Sequence, residues 1–510
     1  MDRSTYSASF AMCFLTILCA ISFLASNVLS ETDACYDPFF STTAHRLLYE
    51  EPNSNLQLLG EISDADGSLV RTFLSPAHVK AAAKIELWMR EAGLRTWVDG
   101  VGNVHGRIDV EGEALPALLV GSHYDTVVDG GKFDGALGIV VPIAAAKAFL
   151  SGLQAGGMGC NPDEERPSAA AAPRRPLEII AFSDEEGVRF GSTFLGSRAV
   201  AGTLVGSGLL EAADESGATL SQVLDAAGYN GSAAAVEALA YRPEAVGGYL
   251  EVHMEQGPVL GASGAPLGAV SAIAGQTRLR VSVSGKQGHA GTVPMPARRD
   301  SVAAAAEAIA WMDWRCGGGA HPESHPAAAG ITAADMLVCT TGSVSVWPGA
   351  SNVISGSVNF TVDIRAASDS VRHSAVADVG DHIAQVCSRR GLECEVVKTH
   401  EAAGVHSEPG MVEGLLAAAE AAKPLMDAVY WAEHGAARPA GLGAGASGVP
   451  VLVSGAGHDA LAMADLTKVG MVFVRCGNDG ISHSPLEHVA EDDVAAAAVS
   501  MYQYFLQELL

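Results

Sequence analysis

The chain has 510 residues, 48% hydrophobic and 17% charged, and its 57 glycines and 22 prolines together stay well below the roughly 25–30% that marks low-complexity disorder. Such a length allows roughly two to four domains around a large buried core, which excludes a small stapled or intrinsically disordered protein. With 58 acidic against 31 basic residues the net charge is −27; nucleic acid and anionic membrane, which reward a basic surface, are poor partners, and an anionic ligand would need a local positive site.

The first predicted element is a targeting segment. Residues 10–25, FAMCFLTILCAISFLA, form an apolar run after a short polar stretch in which Asp2 offsets Arg3. The run is shorter than the roughly 20 residues a bilayer-spanning helix needs. Small residues follow at Ala25, Ser26 and Ser30, so residues 1–30 read as a cleaved signal peptide. No later stretch is apolar for long enough to span, and no stable membrane insertion is expected after cleavage. The secretory pathway is indicated, with the endoplasmic reticulum lumen as the expected compartment, although the terminal QELL is not a classical retrieval signal. Asn230-Gly-Ser and Asn359-Phe-Thr fit the glycosylation acceptor pattern, and Asn230 is preferred because Asn359 falls in a strand-like run. Of nine cysteines, Cys13 and Cys19 lie in the leader. Cys387 and Cys394 are candidates to pair, but the set shows no disulfide framework and no C-x-x-C metal pattern.

From about Ser75 helix-like and strand-like segments alternate. AHVKAAAKIELWMREAG has helical spacing, with Val79, Ala82, Ile85 and Met89 on one predicted stripe. Five short apolar runs follow: ALLVGSH, LEIIAFSDEE, GYLEVHMEQ, VPVLVSGAGHDA and VGMVFVRCGNDGISHS. Continuous apolar strands separated by helices predict an α/β fold with a mostly parallel sheet buried on both faces. Each run ends in polar, chemically capable residues, and ligands of open α/β sheets gather beyond the carboxyl ends of strands. Between Ala274 and Lys398 the order changes to β-α-β-β-α-β, a compact unit inserted into the larger domain. The predicted division is therefore a leader (1–30), a catalytic domain in two parts (36–273 and 399–510) and an insert (274–398). Ser151–Pro176, Cys316–Ala334 and Tyr430–Gly448, rich in Ala, Gly and Pro, read as surface loops without chemistry.

The strand ends carry the candidate chemistry. GSHYDTVVDGGKFDG offers His123, Asp125 and Asp134; SDEEG adds Asp184, Glu185 and Glu186; EVHMEQG adds His253; GISHSP adds His483. Taken singly, any one of the 16 histidines is better read as an ordinary residue. Taken together, three imidazoles and several carboxylates at strand ends match what a pair of borderline divalent ions wants. Zn²⁺, Mn²⁺ or Co²⁺ would suit, roughly 3.5–4 Å apart and sharing a carboxylate and a water.

These residues resemble the di-metal aminopeptidase/aminoacylase superfamily. SHYDTVVDGGKFDG, FSDEEGVRF, VHMEQGPVL, GHAGTVPM and SGAGHDA are similar, more narrowly, to its ureido-group amidohydrolases. That branch includes hydrolases of allantoate, ureidoglycolate and N-carbamoyl amino acids. Within it, RTFLSPAHVKAAAKIELWMREAGLRTWVDGVGNVHGR, IAGQTRLRV and LTKVGMVFVRCGNDGISHSP resemble the plant members acting on allantoate in purine and ureide catabolism. The resemblance runs from about Phe73 to the end.

It implies a metal-binding hydrolase domain with a ferredoxin-like lid and dimerisation insert, a homodimer, a small anionic ureido substrate and two divalent ions per subunit. Manganese comes from the resemblance; the ligand set alone equally permits zinc. His123 and Glu186 would hold different ions, Asp134 would bridge them, and His253 and His483 would join one each. Asp125 would hold the far nitrogen of His123, and Glu185 would be the general base. His289, in the insert, would reach the partner subunit's site to stabilise the oxyanion. Asn352 and Arg365 would hold the substrate carboxylate, with Gln256 and His458 as further substrate or supporting contacts. A peptidase of the same superfamily is disfavoured by the GHAGTVPM and EQGPVL contexts. A non-catalytic binding protein is disfavoured because no proposed ligand or base is missing.

Overall fold

The computed structural model describes residues 38–112, 115–154, 173–317, 336–434 and 448–510. The leader over residues 1–30 and the larger part of each of the three Ala/Gly/Pro-rich stretches lie outside the described residues. No described helix is long and apolar enough to cross a membrane.

The larger unit is a nine-stranded sheet. Its strands in chain order are β1 (Arg95–Val98), β2 (Val104–Ile108), β3 (Ala117–His123), β4 (Leu177–Phe182), β5 (Val246–Met254) and β6 (Leu267–Ile273). The smaller unit supplies β7 (Gly275–Ser284), β8 (Gly288–His289), β9 (Val338–Thr340), β10 (Val344–Trp347), β11 (Val353–Ile354), β12 (Ser357–Ala366) and β13 (Glu393–Ala402). The chain then returns through β14 (Val405–His406), β15 (Val451–Ser454) and β16 (Val469–Val474). The large sheet runs β1-β2-β4-β3-β5-β16-β6-β14, with β15 also on β6. Its central four strands, β4-β3-β5-β16, are parallel, and the pairs outside them are antiparallel except β15 with β6.

Those central strands read as continuous apolar runs because both faces are covered. Leu118 and Val120 of β3 pack into one core beneath the helices Leu137–Gln154 and Glu491–Leu509. Leu119, Ile180 and Tyr249 point to a second core on the other face, shared with Ala460 and Met463 of the helix Asp459–Met463. The period-2 alternation of a strand divides one apolar run between two layers.

Three details of the larger unit differ from the sequence reading. The helix Pro76–Glu91 starts at the Ser75 cap and buries Ala77, Ala81, Ile85, Trp88 and Met89, whereas Val79 is exposed. The buried stripe is thus rotated from the predicted one, because the bulky Trp88 takes the inward position. The helix Lys423–His434 occupies residues expected to begin a loop at Tyr430. Most consequential is β15. It is parallel to β6, which is antiparallel to β16, so β15 runs against the four central strands. Only four of the five apolar runs therefore end at one edge, although His458, four residues past β15, still brings its ring to 4.4 Å from that of His253.

The smaller unit is an antiparallel sheet, β10-β12-β7-β13 with β9 also on β12. The helices Ser301–Arg315 and Asp369–Arg390 pack on it, and it has its own core around Val281, Phe360, Ile364 and Val379. Strict alternation along β7 and β12 fits a sheet covered on one face. The predicted strand MLVCTTGSVSV is split into β9 and β10. β13 continues past Lys398 to Ala402, because β7 offers pairing partners out to Gln276. Cys387 pairs with Cys394, and Cys316 with Cys339. The second disulfide corrects the reading of the cysteines as lacking a framework: it joins a helix end to β9 across a separation of 23 residues that no local spacing discloses.

Candidate active site

The carboxyl edge of β4-β3-β5-β16 opens onto a cleft of about 1150 Å³ between the two sheets. His123 is the last residue of β3, and Asp134 follows on a loop whose next residue, Gly135, has φ +64°. A Cβ at Gly135 would lie 2.4 Å from the His123 carbonyl oxygen, so only glycine lets this loop pass beneath the strand end. Glu185 and Glu186 follow β4, and His253 lies near the end of β5. His483 enters from the loop after β16 with φ +53°.

Asp134 is the hub. Its Oδ1 lies 3.1 Å from His253 Nε2 and 3.7 Å from His123 Nε2. Its Oδ2 lies 3.2 Å from His483 Nε2, which is 3.3 Å from the Glu186 carboxylate. One oxygen thus faces His123 and His253, and the other faces His483 and Glu186. Ligand atoms of His123, Asp134 and His253, of Asp134, Glu186 and His483, and of His123, Glu185 and Glu186 fall within 4.8 Å of one another. The amide of Gln256, itself at φ +55°, donates to Asp134 Oδ2 at 3.1 Å. Two non-glycine residues in left-handed backbone thus converge on one carboxylate oxygen, strain of the kind that collects at functional sites.

The surrounding bonds fix the histidines. His253 Nδ1 donates to the Met254 carbonyl at 2.9 Å, which turns Nε2 toward Asp134. His123 Nδ1 lies 3.2 Å from the Asp125 carbonyl and 3.3 Å from its carboxylate. Asp125 is buried and also accepts the backbone N–H of Glu185 at 2.9 Å and of Glu186 at 3.2 Å. A single carboxylate therefore orients an imidazole and anchors the Glu pair.

Burial opposes ionisation of Asp134, but hydrogen bonds from His123, His253 and His483 outweigh it and hold its carboxyl well below the usual range. Burial, with Glu186 and Asp459 nearby, pushes Glu185 well above that range against the pull of His123. Burial and Asp134 raise Glu186 to about 7. His483 is raised to about 9, mainly by its bond to Asp134. A crowd of buried carboxylates, with imidazole nitrogens aimed at a shared member, fits divalent cations by donor type and by charge. His123, His253 and Asp134 would hold one ion; Asp134, Glu186 and His483 would hold the other.

The remaining candidates divide into two groups. Arg365 lines the cleft, its guanidinium bound to Asp363 at 3.0 and 3.1 Å and to the Gly455 carbonyl at 2.8 Å. His458 is buried with its ring 4.4 Å from that of His253, and Nε2 is 2.8 Å from Ser454 Oγ. Burial, together with His253, drives its pKa well down. His289 and Asn352 lie elsewhere: they meet on the β8–β11 ribbon, where Ala290 N–H donates to the Asn352 carbonyl at 3.0 Å. Both are exposed, and neither lines this cleft.

Two residues escaped the sequence reading. Arg198 lines the cleft half-buried, with no hydrogen bond or ion pair for its guanidinium among the described residues. Burial lowers its pKa, and an unpaired guanidinium at that depth is a ready site for an anion. It lies beyond the FSDEEGVRF motif, whose resemblance gave it no role. Glu487, four residues beyond His483, is buried and accepts three backbone N–H groups, those of Phe133, Asp134 and His483.

Comparisons with known proteins agree with this geometry. Peptidase family M20/M25/M40 matches residues 119–508, a span that includes every residue of the centre. Allantoate deiminase 1 of Glycine max is 46% identical over 471 residues, covering 91% of this chain and 90% of the relative. The N-carbamoyl-L-amino-acid amidohydrolase of Pseudomonas sp. (strain NS671) is 33% identical over 457 residues, covering 89% and 97%. A crystal structure of a hydantoinase/carbamoylase family amidase from Burkholderia multivorans superposes with a TM-score of 0.73 at 27% identity, covering 90% of this chain and 97% of that one.

Proposed function

Since the chain belongs to peptidase family M20/M25/M40, we propose that its cleft hydrolyses a ureido C–N bond of allantoate, giving ureidoglycine, ammonia and carbon dioxide. The observation that carries this reading is the division of the Asp134 oxygens between two ligand groups, with Glu185 beside both. The substrate follows from the 46% identity to a plant allantoate deiminase against 33% to a carbamoyl-amino-acid hydrolase.

Bound divalent ions supply Lewis acidity and a water that loses a proton near neutral pH. Glu185 takes that proton and returns it to the leaving nitrogen. Its N–H is tied to Asp125, so the base keeps its place while its carboxylate remains free to move a proton. Asp125 also keeps His123 in the tautomer that presents Nε2. Arg365 and the unpaired Arg198 hold the anionic end of the substrate. Mn²⁺ is the resident metal in this reading, on resemblance; nitrogen and carboxylate donors suit it, as they suit Zn²⁺ or Co²⁺.

The active form is a homodimer in which His289 and Asn352 complete the partner's site. Their separation from the cleft of their own chain supports this, as does the edge strand β10, where Val344, Val346 and Trp347 are exposed. Passage through the secretory pathway, with residence in the endoplasmic reticulum, is supported by the apolar leader and by two disulfides. Ammonia release by the Mn²⁺-loaded protein from allantoate, ureidoglycolate and N-carbamoyl amino acids tests the substrate. Release from ureidoglycolate but not allantoate would overturn the assignment in favour of a sister activity.

A further inference from the structure

We propose that Glu487 is a positioning residue of the metal centre, setting the bridging Asp134 against His483. This rests on the reading of the cleft as a metal site but not on any choice of substrate. Glu487 is 6% exposed. Its Oε2 accepts the backbone N–H of Phe133 at 3.2 Å and of Asp134 at 3.3 Å, and its Oε1 accepts that of His483 at 3.0 Å. Both oxygens are thus spent on main chain, and no cation pairs with the carboxylate among the described residues.

Glu487 stands 353 positions from Asp134 and four from His483, so it ties together two loops with no sequence proximity. Each carries a ligand that has to meet the other: Oδ2 of Asp134 is 3.2 Å from Nε2 of His483. His483 also holds a left-handed backbone, φ +53°, a strained conformation that persists only when its surroundings over-determine it. The Glu487 bond to its N–H is such a constraint. The motif around Asp134 is built to admit this carboxylate. A Cβ at Gly131, in DGGKFDG, would lie 2.1 Å from both Cδ and Oε2 of Glu487. Glycine there is thus explained by the positioning carboxylate rather than by turn geometry.

A merely structural carboxylate would, on removal, lower stability and leave ion affinity alone. A positioning one has to change affinity, because supporting partners of metal ligands typically contribute 10–100-fold. Glu487→Gln keeps the volume but turns an NH₂ donor toward one side of the three N–H groups. Gly131→Ala attacks the same carboxylate from the other side and keeps Glu487 itself. Metal-free wild type and both variants would be titrated with Mn²⁺ by calorimetry, and their metal-free melting temperatures recorded. Two ions per wild-type chain, and about 10–100-fold weaker binding of at least one in both variants, titrated below the metal-free melting temperature of each, support the inference. Wild-type affinity in Glu487→Gln overturns it. If that variant does not fold, Gly131→Ala decides alone, weakened binding supporting the inference and unchanged binding overturning it. A wild type that binds no ions would instead defeat the metal reading itself, whereas inactivity on allantoate would bear only on the substrate.

Discussion

Replacing Glu185 by Gln is the sharpest probe of the mechanism. Its backbone is pinned on both sides, the N–H by Asp125 Oδ1 at 2.9 Å and the carbonyl by the N–H of Phe194 at 3.0 Å. Its carboxylate makes no hydrogen bond within the described protein and borders the cleft. The isosteric amide therefore removes a proton acceptor and little else. A positioned general base contributes about 10²–10⁴-fold, which at 1.36 kcal/mol per tenfold raises the barrier by about 2.7–5.4 kcal/mol. The loss should fall on kcat, with both ions retained, since the two ligand sets that include Asp134 do not use Glu185. Turnover of allantoate would be followed by ammonia release at saturating Mn²⁺, with metal content measured on the same samples. Glu186→Gln is the control and should lose metal. Turnover of Glu185→Gln within about threefold of wild type at full occupancy would remove it from the base role. Metal loss equal to that of Glu186→Gln would make it a ligand instead.

The remaining expectations concern pH, charge and covalent links. Glu185 and Glu186 have pKa values raised above their unfolded values, as do His123, His253 and His483. Each such group contributes stability that is present at low pH and lost as pH rises through its folded pKa. The metal-free protein should therefore melt at progressively lower temperature from about pH 5 to 9, and Mn²⁺ should reverse the trend; a flat metal-free profile would contradict the site electrostatics. Arg198→Gln should raise KM for the anionic substrate several-fold and weaken its dependence on ionic strength, because an unpaired cation at the cleft acts on charge. An unchanged KM would leave Arg198 without a part in binding. Loop-closure entropy assigns about 3.4 kcal/mol to Cys316–Cys339, at a separation of 23, and about 2.4 kcal/mol to Cys387–Cys394, at a separation of 7. Cys316→Ser should accordingly lower the unfolding free energy of the smaller unit more than Cys387→Ser, read by denaturant titration. Peptide mapping without reductant should recover both pairs.

Much of the fold was legible because its signals are local. β3, β4, β5 and β16 announce themselves as unbroken apolar runs, and the alternating Val, Phe and Ile of β12 mark a sheet covered on one face. The direction of β15 was not legible, since an apolar run reads alike in either sense and only its pairing with β6 decides. Cys316 and Cys339 were hidden for a related reason, their meeting being a property of how a helix end and an edge strand pack.

The site divides along the same line. The sequence by itself nominated the groups proposed to carry the chemistry, because His123, Asp134, Glu185, Glu186, His253 and His483 sit at or after strand ends in motifs whose residue types suit divalent ions. Only the tertiary structure decided how they combine. It turned one oxygen of Asp134 to His123 and His253 and the other to His483 and Glu186, left Arg198 unpaired at the cleft, and set Glu487 between loops distant in the chain. The physical reason is range: periodicity and motif chemistry act over a few residues, whereas coordination and hydrogen bonding depend on ångström distances that packing alone sets.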